Sequence, residues 1–460
     1  MHILDILLMI VIIALLILYI LKPKVNPIYF KTTIYISFFV ILAHGLFELA
    51  RWQFILLYMT WLVIVIMHDF NVKKKWICKS LIAILSVSLV ISISTIIMFP
   101  VSEIPDPSGD YNVGTRSFVV DEEKRLEIYT KSLVDTRKFM FQIWYPTDAV
   151  SELMLDHWMF NKSVPKGLAK SMGFPSFLLD HTASIMSNSY LNAPLSLSLD
   201  QYPVVIISHG WGGFMNLHTD LAEELASRGY VVLSIDHTYG SVATPFLDGT
   251  VYQNKEALPS RDETDNFLEY AHELVYTYAG DVSETIDYLE EMNEASSDSF
   301  LSGKLDLEHI GLIGHSTGGG GDVAVAINDE RIDAVIGLDA WVESIDNSEI
   351  EKGLTMPSLF LRSETWEEGE NNANLLALVE NSTDAILYQI DGTTHADFSM
   401  AYMFSPLMRT IGYTGSLNKN YLIDIQKDII NNFFDRHLRN DQSATIHIDQ
   451  YEEIHEILSS

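Results

Sequence analysis

The sequence predicts a mostly parallel α/β sheet flanked by helices and preceded by an N-terminal bundle of about four transmembrane helices. Three observations point there. The first hundred residues hold four charge-free apolar runs, 6–21, 32–47, 52–67 and 80–102. From about residue 115, short and nearly continuous apolar runs alternate with stretches of helical periodicity, as expected of parallel strands buried on both faces. One of those runs ends in Gly314-His315-Ser316-Thr317-Gly318, a serine among small residues where a strand hands over to a helix.

A bilayer-spanning helix needs roughly 20 apolar residues. The fourth run meets that length, and tilt and flanking residues can extend the first three. Only Glu48-Leu49-Ala50-Arg51 separates the second run from the third, so they form a tight hairpin or one long helix. The hairpin is preferred. Met1 to Asp5 lacks a basic leader and no small-residue cleavage site follows, which reads as a span and not a signal peptide. Lys22, Lys24 and Lys31 follow the first run, and Lys73, Lys74, Lys75 and Lys79 precede the fourth. The positive-inside rule places both clusters in the cytoplasm, and everything after the fourth run outside it. The expectation is an integral plasma-membrane protein with a transmembrane region at 1–102, a Pro- and acid-rich linker at 103–114 and a large extracytoplasmic domain at 115–460.

Beyond residue 100, 58 acids face 21 bases, a formal charge of −37. Phosphate backbones need a basic surface, so nucleic acid is excluded as a partner. The single cysteine, Cys78, excludes an intrachain disulfide framework. There is no His-Glu-x-x-His, no paired Cys-x-x-Cys, and no Gly-Lys-Ser/Thr after the glycines, so the reading calls for no metal and no cofactor.

Within the large domain, "KFMFQIWYP", "YPVVIISHG", "YVVLSIDHT", "HIGLIGHS", "AVIGLDAW", "PSLFLRSE" and "AILYQIDG" read as strands. "FMNLHTDLAEELASRG", "FLEYAHELVYTYAGDVSETIDYLEEM", "GGGGDVAVAINDE" and "LIDIQKDIINNFFDRHL" read as helices. Residues 152–199 break the rhythm and read as an apolar insertion over one end of the sheet. Its Trp158, Met159, Phe160, Met172, Phe174, Phe177, Leu178 and Leu179 make either a satellite core or a hydrophobic rim that meets lipid.

In open parallel sheets the chemistry sits at the carboxyl ends of the strands. A Gly-x-Ser-x-Gly turn there holds Ser316 in a strained elbow, with Gly314 and Gly318 allowing strand and helix to approach. The hydroxyl needs a base, and the base an orienting acid. His395, in the loop "DGTTHADF" after a strand, is the base preferred over His437 in a charged helix end and over His447 and His455 in the acidic tail. Two strand-end carboxylates, Asp339 and Glu364, stand level for the acid, while Asp391 lies so near His395 in sequence that it fits a turn-fixing part. Upstream, "SHGWGGF" offers backbone N–H groups, and Trp211 and Thr317 form the expected oxyanion pair. His209, His237 and His315 read as structural hydrogen bonders.

These segments give the domain its resemblance to a known family. "YPVVIISHGWGGF", "LASRGYVVLSIDHTYGSVAT", "IGLIGHSTGGGGD", "AVIGLDAW" and "IDGTTHADF" resemble the plasma-type platelet-activating factor acetylhydrolases, over roughly 115–460. The resemblance implies an α/β-hydrolase fold, with Ser316 as nucleophile, Asp339 in preference to Glu364 as acid, His395 as base, and Trp211 and Thr317 at the oxyanion hole. It also implies a serine ester hydrolase that releases short or oxidised acyl groups from the sn-2 position of phospholipids, in lipid catabolism. Thr317 departs from the bulkier apolar residue of the family, and Trp211 from its usual aliphatic. The alternatives are a general carboxylesterase or dienelactone/polyester-type hydrolase on non-phospholipid esters, and a non-catalytic membrane sensor or scaffold.

Overall fold

Valine and isoleucine runs such as Tyr202–Ser208, buried along their whole length, can satisfy their backbone only inside a sheet covered on both faces. The computed structural model describes residues 3–21, 26–47, 51–70, 74–121, 124–148, 153–159 and 161–460. Met1, Lys22, Lys24, Glu48, Leu49, Ala50, Lys73 and Phe160, used above, lie outside them. Thirteen strands are described: β1 (Asn112–Val120), β2 (Phe139–Thr147), β3 (Leu155–His157), β4 (Met186–Leu191), β5 (Tyr202–Ser208), β6 (Val231–Asp236), β7 (Ala243–Phe246), β8 (Gly249–Tyr252), β9 (Leu305–His315), β10 (Ala334–Leu338), β11 (Ser358–Ser363), β12 (Ala385–Ile390) and β13 (Ile454–Ser459). The helices are α1 (Ile3–Leu21), α2 (Pro27–Phe47), α3 (Ile55–Asp69), α4 (Lys75–Met98), α5 (Ser163–Ser171), α6 (Thr219–Ser227), α7 (Phe267–Asn293), α8 (Thr317–Asn328), α9 (Asn347–Ile350), α10 (Glu370–Asn381), α11 (Leu407–Thr410) and α12 (Lys419–His437).

Eleven strands form one sheet in the order β13-β12-β11-β10-β9-β5-β6-β2-β1-β4-β3, and β7–β8 is a separate hairpin. From β6 through β5, β9, β10 and β11 to β12 the pairing is parallel. Side chains alternate between two cores. Val204 and Ile206 face the layer of α7, α8 and α10, while Val205 and Ile207 face that of α6 and α12. The chain leaves β5 for β6 on one side and returns as β9 on the other. That reversal is the topological switch point, where such sheets place their ligands.

α1, α2, α4, and α3 together with the short turn Trp52–Phe54 before it, are each long and apolar enough to cross a membrane. α2 and α3 are separate helices packed side by side, with Trp61 Nε1 donating to Ser37 Oγ at 2.8 Å. They do not form one long helix, and residues 48–50 between them lie outside the described ones. At one end of the bundle Asp5 Oδ1 accepts from Arg51 Nη2 at 2.5 Å and lies 2.9 Å from His44 Nε2. His44 Nδ1 is 2.7 Å from the Tyr58 hydroxyl. Ionisable groups in membrane segments face the bundle interior and pair in this way.

The linker is bonded to the large domain: Ser108 N donates to Glu224 Oε2 at 2.9 Å, Gly109 N to Ser227 Oγ at 3.0 Å and Tyr111 N to Ser227 O at 2.9 Å. These bonds lay it along α6, and β1 has begun by Asn112, three residues before the expected start. The segment 152–199 is not wholly an insertion over the sheet, because β3 and β4 extend the sheet beside β1. Between them, Trp158, Met159 and Leu179 are buried in a satellite core with Phe214, Met400 and Phe404, and Phe99 and Val101 from the end of α4 pack on it. Phe174 and Phe177 stay partly exposed.

Candidate active site

β9 reaches the carboxyl edge of the sheet at His315, and the chain must turn into α8 over a single residue. Ser316 takes that turn with φ +56° and ψ −121°, a conformation side chains rarely adopt. Three hydrogen bonds hold it: Ser316 N to Leu338 O (3.0 Å), Gly320 N to Ser316 O (3.1 Å) and Trp341 N to Ser316 O (2.8 Å). A Cβ at Gly314 would lie 2.4 Å from Gly319 Cα, and one at Gly318 would lie 2.2 Å from Ser208 O. Only glycine lets β5, β9 and α8 close here. Thr317 opens α8, so its N–H has no acceptor inside the helix and the helix's positive end faces the elbow.

Asp339 follows β10, is 1% exposed and has φ +42°. Its Oδ1 accepts from Ser363 N at 2.6 Å, and its Oδ2 from Ser363 Oγ at 2.6 Å. His395 Nδ1 lies 3.1 Å from the same Oδ2. A carboxylate can only accept, so the proton sits on Nδ1, and Nε2 is left as an acceptor. Hydrogen bonds to a charged group are worth about 1.5–3 kcal/mol each, so three of them fix the carboxylate firmly. Glu364 does not touch the imidazole; its Oε2 accepts from Gly392 N at 2.8 Å and pins the loop that leads to His395.

Two further groups orient the ring. Trp366 lies flat on His395, with centroids 4.1 Å apart and planes 1° apart. His315 Nε2 donates to His395 O at 3.0 Å. Burial first, then the neighbouring His395 and His218, hold the His315 pKa well below the usual range, so it stays neutral there. Sequence reasoning missed Ser363 and Trp366. The one signal was their place at the carboxyl end of the strand next to the one ending at Asp339.

Ser316 and His395 line one cavity of about 110 Å³, together with Gly210, Trp211, Leu168, Phe214, Leu217 and Phe404. The hydrogen bond formed is His395–Asp339; Ser316 meets His395 across the shared cavity, a contact that commonly tightens only with substrate bound. Beneath the elbow, Asp322 is fully buried and accepts from Ser208 Oγ at 2.6 Å. Burial pushes its carboxyl up to about 8. His209 is held between Gly210 O (2.7 Å) and Ser241 Oγ (2.8 Å), and His237 Nδ1 lies 2.9 Å from Asp281. His437 ends α12, and His455 Nε2 lies 3.0 Å from Asp391 Oδ2, while His447 precedes the short turn Ile448–Gln450.

A mostly parallel sheet with a serine elbow at its switch point and a His–Asp pair beside it defines the α/β-hydrolase class. Within that class, the family described as "Platelet-activating factor acetylhydrolase, isoform II" matches residues 96–454, and the chain belongs to it. It is 25% identical over 363 residues to the platelet-activating factor acetylhydrolase of Canis lupus familiaris, covering 73% of this chain and 78% of that one. The enzyme of the same name from Bos taurus is 24% identical over 372 residues, with the same coverage. Among solved structures, a ferulic acid esterase from Streptomyces cinnamoneus superposes with TM-score 0.63 at 22% identity, over 78% of this chain and all of its own, and shares the fold. The family match begins inside α4 and leaves α1 to α3 as an addition to it.

Proposed function

We propose that the protein is a membrane-anchored serine ester hydrolase that releases short or oxidised sn-2 acyl groups from phospholipids on the extracytoplasmic side. The observation that carries this reading is the His395–Asp339 pair facing the Ser316 elbow in one apolar cavity. In the mechanism, His395 Nε2 takes the Ser316 proton as Oγ attacks the ester carbonyl. Asp339 holds the ring tautomer and stabilises the imidazolium. The N–H groups of Trp211 and Thr317 receive the oxyanion. His395 then protonates the leaving alkoxide, and water, activated by the same ring, releases the acyl group from Ser316.

Family membership supports an ester substrate, and the small cavity supports a short acyl group. The lysines at 31, 74, 75 and 79 support a cytoplasmic side opposite the catalytic domain. Hydrolysis should be measured for full-length protein in liposomes of phosphatidylcholines carrying acetyl, butanoyl, ω-carboxypentanoyl or hexadecanoyl at sn-2. We expect kcat/KM to fall by on the order of 100-fold from acetyl to hexadecanoyl, the scale a tight pocket imposes per added bulk. Turnover of soluble acetate esters with none of these lipids would make it a general carboxylesterase, and no turnover of any ester would make it a sensor.

A further inference from the structure

Beside the catalytic cavity lies a larger one of about 250 Å³, bounded by the start of α6, the segment 397–415 and the start of α12, with Ser102, just after α4, in its wall. The stretch after His395 is the partition between the two. Ala401 and Phe404 face the catalytic cavity, Phe398, Tyr402 and Met408 face the second, and Ser399 lines both. The second cavity adjoins the membrane end of the molecule, since Ser405 in its wall donates from Oγ to Met98 O at 2.5 Å, at the last turn of α4.

Leu221, Phe398, Met408 and Leu422 in its lining are buried. His218 is buried too; its Nε2 donates to Phe398 O at 3.1 Å, which leaves Nδ1 an acceptor without a partner. Asp397 also lines the cavity, but its Oδ2 is taken by Thr394 N (2.7 Å), Thr394 Oγ1 (3.0 Å) and Gly415 N (2.6 Å). Burial raises the pKa of the Asp220 carboxyl, which accepts from Tyr402 Oη at 3.0 Å. The rim carries exposed Arg409 and Lys419, and among the described residues neither pairs with a carboxylate. Arg409 donates to Ser416 O and Lys419 lies 5.4 Å from the Tyr402 ring, so in a region with 58 acids and 21 bases both keep their charge for an anion at one mouth.

We propose that this cavity binds the single hydrocarbon chain of an amphiphile whose anionic head group, a carboxylate or a phosphate, meets Arg409 and Lys419. Such a ligand reaches the mouth from the bilayer surface at the end of α4. Once seated, it presses on the partition that carries His395. The site is separate from the reaction at Ser316 and does not depend on it.

The test uses full-length protein in detergent with Ser316 capped by a fluorophosphonate, and photo-crosslinking with diazirine-tagged palmitic acid, lysophosphatidylcholine and hexadecanol. Labels are mapped by peptide, so a failed cap counts against the reaction at Ser316 and leaves the cavity readout intact. We expect labels on the peptides of Phe398, Met408 or Leu422, competed by excess palmitate. Labelling by palmitic acid alone identifies a carboxylate ligand and labelling by the lysolipid a phosphate one; both support the site. The pair Arg409→Gln with Lys419→Gln on the rim, and separately Leu422→Trp in the interior, should each reduce labelling at least five-fold, with thermal melts in detergent checking that the variants are folded. No label at these peptides, labelling indifferent to the folded rim variant, or hexadecanol labelling as strongly as palmitic acid would overturn the proposal.

Discussion

Asp339 and Glu364 end neighbouring strands, and one sequence residue before Glu364 decides between them. Ser363 donates twice to Asp339, which then faces His395, while Glu364 is spent on Gly392 N. Asp339→Asn should therefore lower kcat on a soluble ester by about 10⁴, because the imidazole adopts the wrong tautomer. Glu364→Gln should stay within about ten-fold, since Gln retains an acceptor for Gly392 N. A larger loss for the Glu364 variant, with both proteins folded, would move the acid to β11. Asp322 gives a second residue-scale test. Its pKa is raised in the fold to about 8, so the native state holds a proton that the unfolded chain gives up near the usual carboxylate value. The stability it contributes is complete at low pH, below that usual value, and is lost as pH rises through about 8. Asp322→Asn cannot ionise, so its melting temperature should gain on the wild type by several degrees between about pH 4 and pH 8. Parallel pH profiles would show that the Asp322 carboxyl titrates at the same pH in the folded and the unfolded chain, and that its burial does not raise its pKa. At this scale the serine and the histidine were legible because each sits in a local pattern, Gly-x-Ser-x-Gly and a loop directly after a strand. Ser363 and Trp366 were not, since their contacts follow from the β10–β11 register, and their place at a strand's carboxyl end names no partner.

The elements that the sequence spelled out were those buried on both faces. β5, β6, β9, β10, β11 and β12 fall within a few residues of the apolar runs. The strands that escaped notice are β1, β4 and β3, which end the sheet at one side, the separate β7–β8 hairpin, and β13 at the other edge, whose IHEILS exposes most of its length and lay hidden in what read as an acidic tail. An edge strand packs on few neighbours, so it need not be apolar, and its polar residues blunt it against aggregation. The bundle and the catalytic domain meet through elements of both. Trp52 Nε1 donates to Leu178 O at 3.3 Å, its ring packs 5.3 Å from Phe177, and Phe99, at the end of α4, packs 5.6 Å from His181. The insertion thus divides between a core and a contact with the bundle. Trp158 is core, with Nε1 donating to Asn216 O at 2.6 Å, whereas Phe177 belongs to the contact with the bundle. Trp52→Ala and Phe177→Ser should cut hydrolysis of liposomal short-acyl phosphatidylcholine several-fold and leave soluble ester turnover within about two-fold, because surface changes away from a core cost little stability. Equal loss on both substrates would mean that the contact supports the fold and not the approach to lipid.

At the scale of the whole molecule, three features converge: four helices fit for a bilayer, a linker bonded along the domain, and a satellite core shared between the end of α4 and the catalytic cavity. Leu168, Phe214, Leu217, Ala401 and Phe404 belong to both that core and the cavity wall, so the apolar lining of the site is continuous with the residues that follow the last span. A fragment cut at residue 105 would lose Phe99, Val101 and Ile104 from this core, and functional assays therefore need the full chain. The division into a membrane part and an α/β part was plain from hydropathy. Their contact was not, because it depends on Trp52, whose indole donates to Leu178 O, 126 residues away. The account stands or falls on Ser316. The measurement is covalent labelling of the full-length protein with a fluorophosphonate, followed by peptide mapping, alongside ester turnover by wild type, Ser316→Ala and His395→Ala. The account predicts a single adduct at Ser316, absent in Ser316→Ala, and turnover lowered by about 10⁴ or more in each variant, as for residues that act as one unit. An adduct on another serine, or full turnover by folded Ser316→Ala, would contradict it.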